Sequence, residues 1–327
     1  MSDSSTPTKW IVAGLVLGGV VVISLIVLVA SLRGGEGTGT VEPTTTSTTV
    51  PSTSSSQPPG RPTTTEPEDV VVETLTLQVG GASRTSTVIS PVDVTPGEQL
   101  PAVLVLHGLG VNASAMSRTA DWRAAVADDR FIAVFPQGVN DSWNMGPCCP
   151  PANLIGVADR AFLDALVADM VDRDDVDGSR LYLTGFSNGA LMVYAYACDH
   201  PEVFAAVAPM AGTNVTGCRP DRPVSLLHQH GDADLVVPYG GGVALGSLVS
   251  SAPFPSVEDS VAAWAAADGC SAEPTVVTDA EVVRTEWSGC ADGTRVELVK
   301  VPGKGHVCLT KGNYDPLTEL LDFFGLS

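Results

Sequence analysis

Residues Arg180 to Ala190 read RLYLTGFSNGA, where a β-rich run passes through Gly185-Phe186-Ser187-Asn188-Gly189 straight into an uninterrupted helical stretch, ALMVYAYAC. This junction constrains the fold more than any other feature of the chain. A strand that turns into a helix within a residue or two needs glycines on either side of the apex, and the apical residue is left exposed at the helix N-terminus, above the sheet. The bare pattern Gly-x-Ser-x-Gly is common; a buried strand before it and a helix directly after it make Ser187 a candidate nucleophile.

The surrounding sequence supplies the sheet that such a turn requires. Thr74 to Val79 and Arg84 to Ser90 bracket Gly80-Gly81 and predict an antiparallel hairpin. Continuous apolar runs at Ala102–Leu106, Phe131–Phe135, Leu181–Thr184, Phe204–Ala208 and Ser225–His228 read as strands buried on both faces, with a further strand at Thr294–Val301. Helical patterns fall near residues 115–128, 155–173, 188–199, 256–267 and 315–324. Strand and helix in alternation predict an α/β domain, with a mostly parallel sheet and helices on both faces.

A serine hydroxyl is a weak nucleophile at neutral pH and needs a base oriented by an acid. On a turn of this kind the acid and then the histidine follow the serine along the chain. His306, in the glycine-rich VPGKGHVCL after a strand, is the expected base. His200, in CDHPEVF, reads as a loop residue, while His228 and His230 on and after a strand read as structural. The segment HQHGDADLVVPY ends a strand and offers two acids, Asp232 and Asp234, either of which can equally be a turn residue. The oxyanion formed on attack needs backbone N–H donors. Asn188, which follows the nucleophile, gives one, and Leu109 in VLVLHGLG gives the other; His107 beside it is expected to shape the loop.

The first 69 residues differ in kind from the rest. Residues 1–10 form a short tail, and Ile11 to Leu32 are 22 residues without a charge between Lys9 and Arg33. At 1.5 Å per residue a helix of that length is about 33 Å long, enough to cross a bilayer. It reads as an uncleaved anchor contacting the lipid bilayer, because a signal peptide has a shorter apolar core; cleavage would instead release the body. Residues 33–69 follow as a stalk in which 21 of the 28 residues from Thr38 to Thr65 are Thr, Ser or Pro. Such a segment has almost nothing to bury, and its composition suits an extracellular linker. The body, residues 70–327, carries all seven cysteines, at 148, 149, 198, 218, 270, 290 and 308, which predicts disulfides and an oxidising compartment at the cell surface. Cys270 and Cys290 are the expected pair. No CxxC or HExxH occurs, so neither a metal nor a cofactor is expected.

LHGLG, the SWNMGPCC stretch (Ser142–Cys149), TGFSNGA, HGDADLVVPYGGG and GKGH together resemble the polyhydroxybutyrate depolymerase-like secreted esterases of bacteria, which are related to feruloyl and acetylxylan esterases. The resemblance runs over about residues 75–325 and implies an α/β-hydrolase fold with esterase activity. It also implies that the acid is the second aspartate of the HGxxDxxVPY segment, Asp234. Two departures stand out: Val307-Cys308 where the family has a tryptophan after the histidine, and a single acid, Asp159, where two are expected. The resemblance implies that Cys148, Cys149, Cys198 and Cys218 pair among themselves, in an order the sequence does not fix, with Cys308 left over.

Charge narrows the substrate. The whole chain has 17 Lys+Arg against 37 Asp+Glu, and all but six of the acids lie in the body. So acidic a domain is a poor ligand for nucleic acid, and it favours a neutral ester over an anion. The expectation is a surface serine esterase. Its rivals are a non-catalytic binding protein on the same fold and a serine peptidase.

Overall fold

Gly80 and Gly81 turn β1 (Val70–Val79) back on β2 (Ala82–Pro91), and every residue of the two strands pairs across the hairpin, from Val70 with Pro91 to Val79 with Ala82. The computed structural model describes residues 69–243, 250, 253–271, 273–307 and 309–327. The expected membrane anchor, the stalk and Cys308 lie outside the described residues. Among the described residues no helix is long and apolar enough to cross a membrane.

The hairpin forms one end of a ten-stranded sheet. Beyond it come β4 (Ile132–Pro136), β3 (Leu100–Leu106), β5 (Val176–Phe186), β6 (Ala206–Met210), β7 (Ser225–Gly231) and β10 (Val296–Val301), all parallel to one another. Antiparallel β9 (Val283–Trp287) and β8 (Thr275–Thr278) close the far end. These last two strands are absent from the sequence reading. Their alternation is weak, because every residue of β8 faces solvent and only Trp287 of β9 is buried.

Among the described residues six α-helices cover the two faces: α1 (Ala113–Met116), α2 (Trp122–Asp129), α3 (Asp159–Val171), α4 (Asn188–Asp199), α5 (Val257–Ala267) and α6 (Pro316–Phe324). Along β3 the side chains alternate between them. Leu104 and Leu106 join Phe162, Leu166, Met192 and Trp264 from α3, α4 and α5, whereas Val103 and Val105 join Trp122, Val126, Leu320 and Phe324 from α2 and α6. Central parallel strands need apolar residues in every position because both faces are covered, which is why they were legible as unbroken runs.

Two helices depart from expectation. The single helix near 115–128 is two: α1 starts on the Asn112 side chain, which accepts the Ala115 N–H, and the chain then breaks where Ala120 and Asp121 adopt φ of +51° and +50°. The break lets Trp122 turn inward, edge-on to Phe131 and Phe135 at 6.4 and 5.7 Å. The helix expected from residue 155 starts only at Asp159, whose carboxylate is drawn inward to Arg84 at 2.7 Å.

Candidate active site

The Gly185–Gly189 junction folds as a sharp elbow between β5 and α4. Ser187 sits at φ +56° and ψ −118°, a backbone state that a side-chain-bearing residue holds only when its surroundings enforce it. They do so through main-chain bonds: the Ser187 N–H donates to Met210 O at 2.9 Å, and Ser187 O accepts the Leu191 N–H at 3.0 Å. The first turn of α4 also presses directly on the end of β3. A Cβ at Gly189 would lie 2.3 Å from Leu106 O and 2.7 Å from His107 O, so only glycine permits this approach.

Three side chains from three separate segments converge here. The loop after β10 brings His306 Nε2 to 2.7 Å from Ser187 Oγ, and His306 Nδ1 lies 2.7 Å from Asp234 Oδ2. Phe186 packs against the His306 ring at 5.0 Å between centroids. Asp234 stands on the turn after β7 with its carboxylate fully buried. Its other oxygen, Oδ1, accepts the N–H groups of Val236 and Val237 at 2.8 and 2.9 Å. Burial alone would raise the Asp234 carboxyl, but hydrogen bonds from His230 and His306 outweigh it and hold the group well below the usual carboxylate range. The ionised acid then fixes the His306 tautomer with its proton on Nδ1, leaving Nε2 free to accept from the serine. Asp232, the alternative acid, points elsewhere and accepts the Gly303 N–H at 2.6 Å.

The oxyanion side is built from β3 and the stretch after β4. Leu106 pairs with Gly185, so the His107–Leu109 loop emerges beside the elbow, and neither the Leu109 nor the Asn188 N–H meets an acceptor among the described residues. His107 shapes the loop: it accepts the Gly138 N–H on Nε2 at 2.9 Å and directs Nδ1 to Gly108 O at 2.9 Å. Burial lowers its pKa against the pull of that carbonyl, which keeps it neutral.

Several supporting residues escaped the sequence reading. The Asn188 side chain is clamped to the Trp143 backbone in both directions, at 2.7 and 3.1 Å, and Trp143 Nε1 donates to His107 O at 2.9 Å. Residue 144 is tethered in turn, its N–H donating to Asp159 Oδ2 at 2.8 Å. The signal was present in the tryptophan of SWNMGPCC and in the lone Asp159, but only the fold shows what they brace. His228 and His230 are both fully buried beneath Asp234, and His200 lies at the surface 3.2 Å from Asp164.

The six described cysteines pair as Cys148–Cys149, Cys198–Cys218 and Cys270–Cys290. Cys149 Sγ accepts from Asn188 Nδ2, so the adjacent pair packs beneath the oxyanion side. Among the described residues no group of His, Cys, Asp and Glu is arranged to hold a metal ion.

Sheet order, elbow and the Ser, His and Asp gathered at it define an α/β-hydrolase. The Esterase PHB depolymerase family model matches residues 89–221. Feruloyl esterase B of Piromyces equi is 30% identical over 228 residues, covering 66% of this chain and 41% of its own length. Feruloyl esterase C of Emericella nidulans is 34% identical over 173 residues, covering 51% of this chain and 54% of its own. The chain therefore spans about half the length of these curated relatives. A solved acetyl xylan esterase from Aspergillus awamori shares the fold at a TM-score of 0.57 and 15% identity, over 78% of this chain and 100% of that one. By these matches the chain is PHB depolymerase/feruloyl esterase-like, on an α/β-hydrolase fold.

Proposed function

We propose that this chain is a serine esterase displayed at the cell surface, held by residues 11–32 in the membrane and spaced from it by residues 33–69. The observation that carries the catalytic reading is the continuous contact from Ser187 Oγ through His306 to Asp234, at 2.7 Å for each link. Ser187 Oγ attacks the ester carbonyl carbon while its proton passes to His306 Nε2. The negative oxygen is held by the Leu109 and Asn188 N–H groups. Collapse breaks the bond to the alcohol, which leaves with the proton from His306. Water then repeats the sequence on the acyl-enzyme and releases the acid.

The names of the relatives, feruloyl and acetylxylan esterases, favour a carboxylic ester as substrate. A polyester, a feruloylated or acetylated polysaccharide and a cell-envelope ester all fit that description. The acidic body favours a neutral one. Leu235 and Val307, next in sequence to Asp234 and His306, are 67% and 48% exposed, which gives the rim an apolar character suited to an uncharged acyl or alcohol group. The test treats the full-length chain with an alkyl fluorophosphonate and with aryl esters graded in acyl length. Label on Ser187 and turnover lost in Ser187→Ala are expected. A folded chain that takes no label and hydrolyses no ester would refute the proposal. Accessibility of the body to protease added outside intact cells tests the location.

A further inference from the structure

Below the acid of the site lies a line of buried polar groups that catalysis by Ser187, His306 and Asp234 does not itself require. The Tyr194 hydroxyl is 2.8 Å from His228 Nδ1, His228 Nε2 is 3.1 Å from His230 Nδ1, and His230 Nε2 is 2.9 Å from Val237 O and 3.3 Å from Asp234 Oδ2. Tyr194, His228 and His230 are all completely buried.

The atoms dictate where the protons sit. Val237 O is a carbonyl and can only accept, so His230 Nε2 carries a proton. In the uncharged ring His230 Nδ1 is then bare and accepts from His228 Nε2–H, which leaves His228 Nδ1 bare to accept the Tyr194 hydroxyl. Burial favours this uncharged form: it holds His228 well below the ordinary histidine range, with His230 adding to the effect, and it raises the Tyr194 phenol. Every hydrogen bond in the line points the same way, from Tyr194 toward Asp234.

We propose that Tyr194, His228 and His230 form a tautomer-locked relay whose final N–H positions Asp234 and moderates its basicity, so that His230 is a positioning residue for the triad. The role is twofold. His230 fastens Val237 O, and the same turn presents the Val236 and Val237 N–H groups to Asp234 Oδ1. It also points its proton at Oδ2, the oxygen that His306 uses. A carboxylate that shares Oδ2 between two donors is a weaker partner for the His306 Nδ1–H than one that gives the oxygen to His306 alone. Tyr194 lies on α4, the helix that begins at the nucleophile, so one rigid element carries both Ser187 and the start of the relay.

Other charged and titratable groups around the line are accounted for. Lys300 pairs with His230 in the β7–β10 register, but its Nζ is turned over the Tyr239 ring, 5.5 Å from the centroid. Tyr239 meets His230 edge-on at 5.9 Å and donates to Glu258 at 3.2 Å. Asp232 is occupied by Gly303 N–H, and Lys304 reaches this region through its backbone oxygen, which accepts from Ala233 N–H at 2.9 Å.

The inference rests on Ser187, His306 and Asp234 acting as a triad, and the experiment separates the two. In the full-length chain, kcat/KM for an aryl ester is followed against pH in the parent, His230→Leu, His230→Gln and Tyr194→Phe. Loss of the donor in His230→Leu leaves Asp234 more basic, so the acid limb moves up by about half to one pH unit and kcat falls roughly ten-fold. His230→Gln returns an N–H near the Nε2 position and restores most of both. Tyr194→Phe, which removes a donor without changing shape, moves the limb in the same direction by less. Nitrogen-15 spectra of the histidine rings read the tautomers of His228 and His230 in each variant that folds, whether or not it turns over. An active, phosphonate-labelled parent whose variants keep the parental limb overturns the relay alone, as does a parent in which His228 carries its proton on Nδ1 or a His230→Gln no better than His230→Leu. A parent without label or turnover overturns the triad and the relay together.

Discussion

Asp159→Ala should damage this protein more than its distance from Ser187 suggests. Arg84 and Asp159 form an ion pair at 2.7 Å with side chains 7% and 0% exposed. The guanidinium also donates to Gln137 O at 3.1 Å and lies 4.1 Å over the Phe162 ring. Removing the acid strands a cation in that apolar setting and leaves the Asn144 N–H without its acceptor. Breaking one half of a buried pair costs about 3 to 5 kcal/mol, of which the stranded amide accounts for roughly 1 to 3. With a urea m-value near 3 kcal/mol/M, typical of the upper end for single domains, the midpoint should fall by roughly 1 to 1.7 M. Tryptophan fluorescence in urea, read beside the far-ultraviolet dichroism, measures it. Arg84→Met combined with Asp159→Leu removes both charges and should recover at least half of the loss. The fraction that stays folded should still lose kcat, because residues 143 and 144 brace Asn188. An Asp159→Ala midpoint within 0.3 M of the parent would refute the reasoning, as would a double variant no more stable than the single one, since that would mean no stranded charge was ever present.

Three further outcomes follow from the same structure. A Cβ at Gly231 would fall 2.2 Å from Lys304 O, so Gly231→Ala should push the His306 loop outward and lower kcat about 100-fold while the urea midpoint changes far less, which parallel kinetics and unfolding would check. Asp268 is buried, and desolvation raises its pKa to about 7 against the Val224 and Thr294 bonds that lower it. Its protonated form is the one the fold prefers, so this contribution to stability is complete below about pH 4 and is lost as pH rises through 7; Asp268→Asn should therefore be more stable than the parent at pH 8 and lose that advantage by pH 4, as thermal melts across pH would show. Replacing Cys270 and Cys290 by serine opens a link between positions 20 residues apart and should cost about 3 kcal/mol, measurable in the same urea titration.

The parts of this molecule that were readable in the sequence are those whose residue types have few alternatives. A strand buried on both faces has to be apolar throughout, so β3, β4 and β5 stood out, and the turn at Ser187 has to be flanked by glycine. The sequence pointed to His306 and Asp234 because the chain order after the serine is restricted and because HGDADLVVPY carries a family resemblance, and the fold brings both beside Ser187. What stayed hidden depends on three-dimensional neighbours. Whether residues 115–128 form one helix or two is decided by where Trp122 finds Phe131 and Phe135. The solvent-facing β8 has no face to mark it. His228 and His230, two residues apart on one strand, give no hint that both point inward, His230 to the Asp234 carboxylate and His228 to Tyr194, since that depends on where α4 places Tyr194.

The elbow has a consequence for how such a protein can change. Around Ser187 the holding is done by main-chain atoms: Met210 O and Leu191 N bond the serine backbone, and Leu106 O and His107 O bear on Gly189. The geometry of Ser187 is thus fixed by main-chain atoms, which a change of side chain at Met210, Leu191, Leu106 or His107 does not remove. Leu235 and Val307, next in sequence to Asp234 and His306, are by contrast exposed side chains on which the elbow does not depend. The main-chain atoms that hold Ser187 and the exposed side chains beside the acid and the histidine are separate sets, so substitutions at the second leave the first in place.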